Sequence, residues 1–125
     1  MLNAQPSTRS EGPTWVFGLP GNPVSSMVCA ELFTRTALRR AMGLDPATPV
    51  PTPARLTDDH TARGDRPVYH PARIASTPTG PTATLVRWHG SSDLRATIEA
   101  NGMALIPAGN ANHAAGTLVE TFRWD

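Results

Sequence analysis

The sequence predicts a mainly β chain with some α structure. A strand–loop–helix segment of α/β type comes first, and a small C-terminal β domain follows. Three observations carry this reading. An apolar run, Trp15-Val16-Phe17, leads through Gly18-Leu19-Pro20-Gly21-Asn22-Pro23 into a stretch with helical apolar spacing. Thirteen prolines in 125 residues argue against long helices elsewhere. Beyond Pro53, short runs rich in Thr, Val and Ala alternate with turns built on Gly and Pro.

The elements follow in order. Residues 1–13 are polar, with Pro6, Ser7, Thr8, Ser10 and Gly12, and are expected to be disordered. Trp15 to Phe17 is expected as a short buried strand. A helix is expected from Pro23 to Met42, because Val24, Met27, Val28, Leu32, Phe33, Ala37, Leu38 and Ala41 recur at its period. Asn22 suits its N-cap and Pro23 its first turn. Arg39 and Arg40 suit its last turn, Gly43 ends it, and Pro46 bars continuation. The run from Pro46 to Pro53 reads as an extended linker. Strands are expected at Ala54–Thr57, Val68–Ser76, Thr82–Trp88, Ala104–Ile106 and Leu118–Trp124. Residues 77–81 form the turn of a hairpin. Ser92 is expected to cap a short helix, Asp93–Glu99, which Asn101-Gly102 stops.

The loop at Gly18–Pro23 is the most informative stretch. Two glycines and two prolines fix its path and remove side-chain bulk, so a ligand or another chain can approach the backbone. The following helix turns its free N–H groups and positive dipole end toward the loop, which favours anions. The plain alternative is a mere strand-to-helix connection.

Composition narrows the classes. Eleven basic residues, all Arg, face ten acidic ones, and the net charge of +1 gives no bulk attraction to nucleic acid or membranes. The single cysteine, Cys29, has no internal partner and reads as a buried structural thiol. One Cys and no signal-like opening suggest a cytoplasmic protein. His60 is placed in a polar loop and His113 in a turn. Four histidines and one cysteine show no metal-ligand spacing, so no metal site is expected. The wide apolar face of residues 24–41 needs a cover, either the β domain or another chain.

Two blocks carry a resemblance. Gly18 to Ser26, continuing through Glu31-Leu32-Phe33 and Ala37-Leu38-Arg39-Arg40, resembles the GLPGNPVS–helix signature of the molybdopterin molybdotransferases, the MoeA/gephyrin E-domain family. His89-Gly90-Ser91-Ser92, then Ala100-Asn101-Gly102-Met103-Ala104-Leu105-Ile106-Pro107, then Ala115-Gly116 and a last strand, resemble that family's closing run. The resemblance covers roughly Trp15 to the C-terminus. It implies that residues 14–45 are the strand–loop–helix remnant of a molybdopterin-binding domain. Residues 46–53 would be a linker, and 54–125 a C-terminal β domain of β-clip or barrel-like form.

The family inserts molybdate into adenylylated molybdopterin with a divalent cation such as Mg, releasing AMP. By resemblance, Pro20, Gly21, Asn22 and Pro23 form an active-site loop, and Ser91 is an oxyanion ligand. A hydroxyl paired with a guanidinium suits a tetrahedral dianion. The family's oxyanion Arg lies on a strand where this chain has Pro71. Arg73, two residues on and on the same strand face, is the candidate replacement. It could equally be a surface Arg on an edge strand, which Pro71 would suit. The chain has no Lys and lacks the family's upstream Gly-Gly-x-Ser block, so no complete catalytic set is present. The resemblance therefore implies the C-terminal part of an enzyme that is inactive alone. Its partners would be upstream domains or a second copy in a homo-oligomer. A non-catalytic protein-binding module and a small-anion binder using the helix start at Asn22 and Ser25 are the alternatives.

Overall fold

A computed structural model describes residues 7–9, 12–90 and 93–124. Its main body is a closed five-stranded barrel. The barrel strands are β3 (Thr52–Leu56), β5 (Val68–Thr77), β6 (Gly80–Leu85), β7 (Gly102–Ile106) and β9 (Leu118–Arg123), in the order β3-β6-β5-β7-β9. All neighbours are antiparallel except β3 and β6, whose parallel pairing (Arg55↔Thr82, Leu56↔Ala83) helps to close the barrel. Two further pairs lie outside it: β1 (Ser7–Arg9) with β2 (Gly12–Thr14), and β4 (His60–Ala62) with β8 (Ala111–His113).

The alternation along the strands builds the interior. Ala54, Leu56, Ala72, Ile74, Ala83, Ala104, Ile106 and Val119 form one buried cluster with Ala62. So many alanines fit a barrel of few strands, whose bore leaves little room for side chains. Thr121 is also buried and donates its hydroxyl proton to the Thr52 carbonyl at 2.7 Å. A second layer lies on the outer face. Pro71 and Met103 are fully buried there and face each other across β5 and β7, with Phe122 edge-on to Tyr69. The short helix α3 (Leu94–Glu99) packs on β5, and α1 (Pro23–Cys29) touches α3.

Asn101 and Gly102 join α3 to the barrel. The β5–β7 ladder ends at Ala72↔Gly102, and the Asn101 side chain then extends it. Its Oδ1 accepts from the Ile74 N–H at 2.7 Å, and its Nδ2 donates to the Ile74 carbonyl at 2.9 Å. At Gly102 a Cβ would stand 2.5 Å from both Ile74 Cδ1 and the Phe122 carbonyl oxygen, so only glycine fits without a shift.

The long helix spans the expected residues, but in three parts. α1 runs into a π-helical turn, Ala30–Thr34, and then α2 (Arg35–Ala41). Gly43, at φ 71°, ends it in a Schellman arrangement: Gly43 N–H donates to Arg40 O and Leu44 N–H to Arg39 O. The helix does not fold its apolar face onto the barrel. Val24 is its one buried residue, whereas Phe33, Leu38 and Met42 are 46%, 59% and 72% exposed.

Several expectations differ from what is found. Residues 7–9 and 12–14 pair as strands where disorder is expected. Trp15 to Phe17 is not a strand; no described strand pairs with it, and Trp15 and Val16 lie exposed. His60 and His113 lie not in a loop and a turn but opposite each other on β4 and β8. Asp93 caps α3 among the described residues: its Oδ1 accepts from Arg95 N–H at 3.2 Å. Ser92 lies outside them. β5 is no edge strand, since β6 and β7 flank it. Pro71 is tolerated because its nitrogen faces the β6 side, one residue beyond the last pair there, Ala72↔Leu85.

Candidate functional site

The loop residues Pro20, Gly21 and Asn22 are exposed, and Pro23 is half-buried at the start of α1. Asn22 occupies the N-cap position but makes no side-chain capping bond. The loop is held instead by Ser26, whose hydroxyl donates to the Pro20 carbonyl. The Asn22 carbonyl accepts the first helical bond from Ser26 N–H at 2.8 Å. No atom comes within 4 Å of where a Cβ would sit on Gly18 or Gly21. Nothing within the described chain therefore needs these glycines to be small, and the space beside the backbone is open to another molecule.

Arg73 projects from the outer face of β5, exposed, opposite Thr84 of β6. Ser91 lies outside the described residues. Near it, Asp93 holds His89: its Oδ2 accepts from His89 N–H at 3.3 Å and lies 3.5 Å from His89 Nδ1. Here Arg87, His89, Asp93, Arg95 and Glu99 line a cleft of about 240 Å³. Arg73 is not on its lining. Sequence reasoning missed Arg87 and Arg95, although both stand within four residues of Ser91.

Arg87 also borders a second cleft, about 230 Å³, at the barrel mouth with Asp58, Asp59, His60, His70 and Trp88. Three rings meet edge to face: His60 on His70 at 5.5 Å and His70 on Trp88 at 5.0 Å between centroids. Burial pushes the His70 pKa below the ordinary 6.5. The bond of its Nδ1 to the Pro71 carbonyl, at 2.9 Å, works the other way, and His60 lowers it further. His60 is also held low, by burial and then by His113. Both rings are thus biased toward the neutral form. His70 and His89 line different clefts. Among the described residues no group of three or more His, Cys, Asp or Glu could hold a metal ion.

The barrel and the segment leading into it are those of a known family. Residues 53–124 match the model of the MoeA C-terminal region, domain IV. The chain belongs to the MoeA family. A molybdopterin molybdenumtransferase 2 of Mycobacterium tuberculosis strain H37Rv is 35% identical over 118 residues, which are 90% of this chain and 27% of that protein. A molybdopterin molybdenumtransferase of Staphylococcus aureus strain Mu50 is 28% identical over 106 residues, 85% of this chain and 25% of its own length. The crystal structure of a molybdopterin biosynthesis moeA protein from Pyrococcus horikoshii OT3 superposes with a TM-score of 0.66 at 23% identity, over 88% of this chain and 27% of that one. The MoeA chain described here spans about a quarter of the length of the curated relatives it matches. Both ends of the match matter: it takes in the MoeA barrel and most of the loop–helix segment before it.

Proposed function

We propose that this chain is the C-terminal region of a molybdopterin molybdotransferase and serves the insertion of molybdate into adenylylated molybdopterin. The observation that supports this most directly is the continuous match through both segments, helix and barrel, to proteins named molybdopterin molybdenumtransferase. In this reading the Pro20–Pro23 loop lines the reaction cleft, its open flank at Gly21 admitting substrate. Arg73 and Ser91 are the oxyanion ligands. The guanidinium supplies a charge-assisted contact and the hydroxyl a second donor. The described residues offer no donor set for a divalent cation, so no step is assigned to one here. The exposed face at Phe33, Leu38 and Met42 is covered by upstream domains or by a second copy, and the protein works in the cytoplasm.

A domain exchange tests the reading. This chain replaces the matching C-terminal quarter of the Mycobacterium tuberculosis relative, and AMP release from adenylylated molybdopterin with molybdate is measured. Activity above the truncated relative is expected, with Arg73→Ala reducing it tenfold or more. A folded exchange protein with no activity would sink the proposal. The chain alone should give no AMP release over a buffer control.

A second reading, a protein-binding module, is favoured by one observation. An apolar groove of about 560 Å³ runs past Pro67, Leu105, Pro107 and the exposed Leu118 on the barrel's outer face. Its test is binding of extended apolar peptides, with Leu118→Arg as the blocking variant.

A further inference from the structure

We propose that the β4–β8 ribbon is a latch on one mouth of the barrel, closed near neutral pH and released when the His60–His70–His113 cluster takes up protons. The latch is independent of the reaction proposed above.

The ribbon forms a sheet of its own, outside the strand order of the barrel. Ala62 is its one buried residue and joins the core cluster. His60 lies two residues before Ala62, on the same strand face. Its ring meets His70 of β5 at 5.5 Å, and His70 in turn meets Trp88 at 5.0 Å. His113 stands directly opposite His60 across the ribbon. Imidazoles from β4, β5 and β8 thus gather at the seam between ribbon and barrel. The ribbon is tied by bonds of its own: the Thr61 hydroxyl donates to Asn112 Oδ1 at 2.9 Å, and Gly109 N–H donates to the Gly64 carbonyl at 2.8 Å. These bonds let it move as a unit.

Closed, the cluster is a poor place for protons. His70 donates its Nδ1 proton to the Pro71 carbonyl at 2.9 Å, so a second proton has to add at Nε2. His113 Nε2 is buried with no partner among the described residues, and Trp88 Nε1 likewise. An imidazolium at His113 would hold a buried N–H with nothing to accept it. It would also face any charge on His60 directly across two strands, which is unfavourable. Burial and the neighbouring imidazoles hold His60 and His70 toward the neutral form. The other charged groups do not reverse this balance. Asp58, Asp59 and Arg87 line the cleft beside His60 and His70, and Glu120 lines the groove beside His113. Asp58 Oδ2 accepts from the Thr57 hydroxyl at 2.7 Å, and Asp59 Oδ1 accepts from Ala115 N–H at 2.7 Å. The Arg87 guanidinium opposes any imidazolium in the same cleft. Release of the ribbon gives the three rings to water and lets His113 Nε2 and Trp88 N–H find partners.

Hydrogen exchange on the full chain, corrected for the intrinsic pH dependence of amide rates, is compared at about pH 7.5 and about pH 5.5. A histidine that charges only in the open form favours opening by up to about tenfold one unit below its ordinary value of 6.5, and two such histidines by up to about a hundredfold. Protection of the β4 and β8 amides should therefore fall at least about tenfold, while that of the β5–β7 ladder holds. The double variant His60→Gln with His113→Gln should remove most of the fall. Imidazole proton NMR on the wild type needs no variant: the midpoints of His60 and His70 should coincide with the midpoint at which ribbon protection is lost. Equal ribbon protection at both pH values, a loss shared by ribbon and barrel, or an undiminished fall in a folded double variant would each overturn the proposal. So would a midpoint below about pH 4.5, where carboxylates such as Asp59 take up protons instead.

Discussion

Replacing Asn101 by alanine removes two hydrogen bonds at the point where α3 enters the barrel. The Ile74 N–H loses an acceptor at 2.7 Å and the Ile74 carbonyl a donor at 2.9 Å. The side chain of Ile74 is buried in the barrel core, so its backbone cannot swing out to find new partners without disturbing that core. A net hydrogen bond contributes about 0.5–1.5 kcal/mol, and an orphaned buried group costs about 1–3 kcal/mol. Because this site is only partly buried, water can reach one of the two groups, and the lower figures apply. The expected loss is about 2 kcal/mol. For a domain of 60–100 residues this lowers Tm by about 8–16 °C. Thermal melts followed by circular dichroism read the shift, and hydrogen exchange reads protection of the Ile74 amide. Asn101→Asp sharpens the test. It keeps the acceptor for Ile74 N–H but sets a carboxylate against the Ile74 carbonyl, so it should be destabilised at neutral pH and recover as the acid protonates. A Tm within 2 °C of wild type for Asn101→Ala, with unchanged Ile74 protection, would refute the argument.

Gly102→Ala should destabilise by about 1–3 kcal/mol, the usual cost of overpacking, since its Cβ would meet a backbone oxygen at 2.5 Å; chemical denaturation measures it. His70, whose pKa is lowered in the folded state, binds protons more readily when unfolded. Its stability contribution is therefore complete above about pH 6.5 and is lost as pH falls through that value toward the lower folded one. His70→Phe should flatten that part of the stability profile, and an unchanged slope would count against the buried neutral ring. Leu38→Arg, at an exposed helix position, should change stability by less than about 0.5 kcal/mol while reducing any self-association seen by sedimentation. A large fall in Tm would show instead that the face is covered within the chain.

Punctuation in the sequence was the most readable part of the fold. Gly43 and the Arg pair before it locate the helix end because the αL cap and the dipole act locally. The hairpin at Thr77–Gly80 is legible for the same reason. The strands β4 and β8 were not legible. Each has three residues, too few for alternation, and only their mutual pairing makes them strands. Trp15-Val16-Phe17 has the composition of a buried strand, but a strand needs a neighbour, and no described strand pairs with it. Pro71 misled in another way. A proline suggests an edge, and barrel closure removes edges, yet one residue's offset from the β6 ladder satisfies the same physical requirement. At the candidate site, the loop was readable from Gly and Pro alone. The ring cluster of His60, His70 and Trp88 was not, because it joins three separate strands or strand ends.

The π turn at Ala30–Thr34 has a consequence for how this helix can vary. A turn closed from Arg35 N–H to Ala30 O holds one residue more than an α-helical turn, and each residue advances the azimuth by about 100°. Everything after Thr34 is therefore rotated by that angle from where an unbroken helix would set it. Deleting a single residue between 30 and 34 would let the segment relax into a continuous α-helix without disturbing either neighbour. Leu38 and Met42, together with Arg35 and Arg39, would keep the sides they face now, because the wide turn already absorbs the residue removed. The helix thus carries a one-residue buffer: a length change that would re-aim every later side chain of a regular helix leaves these facing as they do.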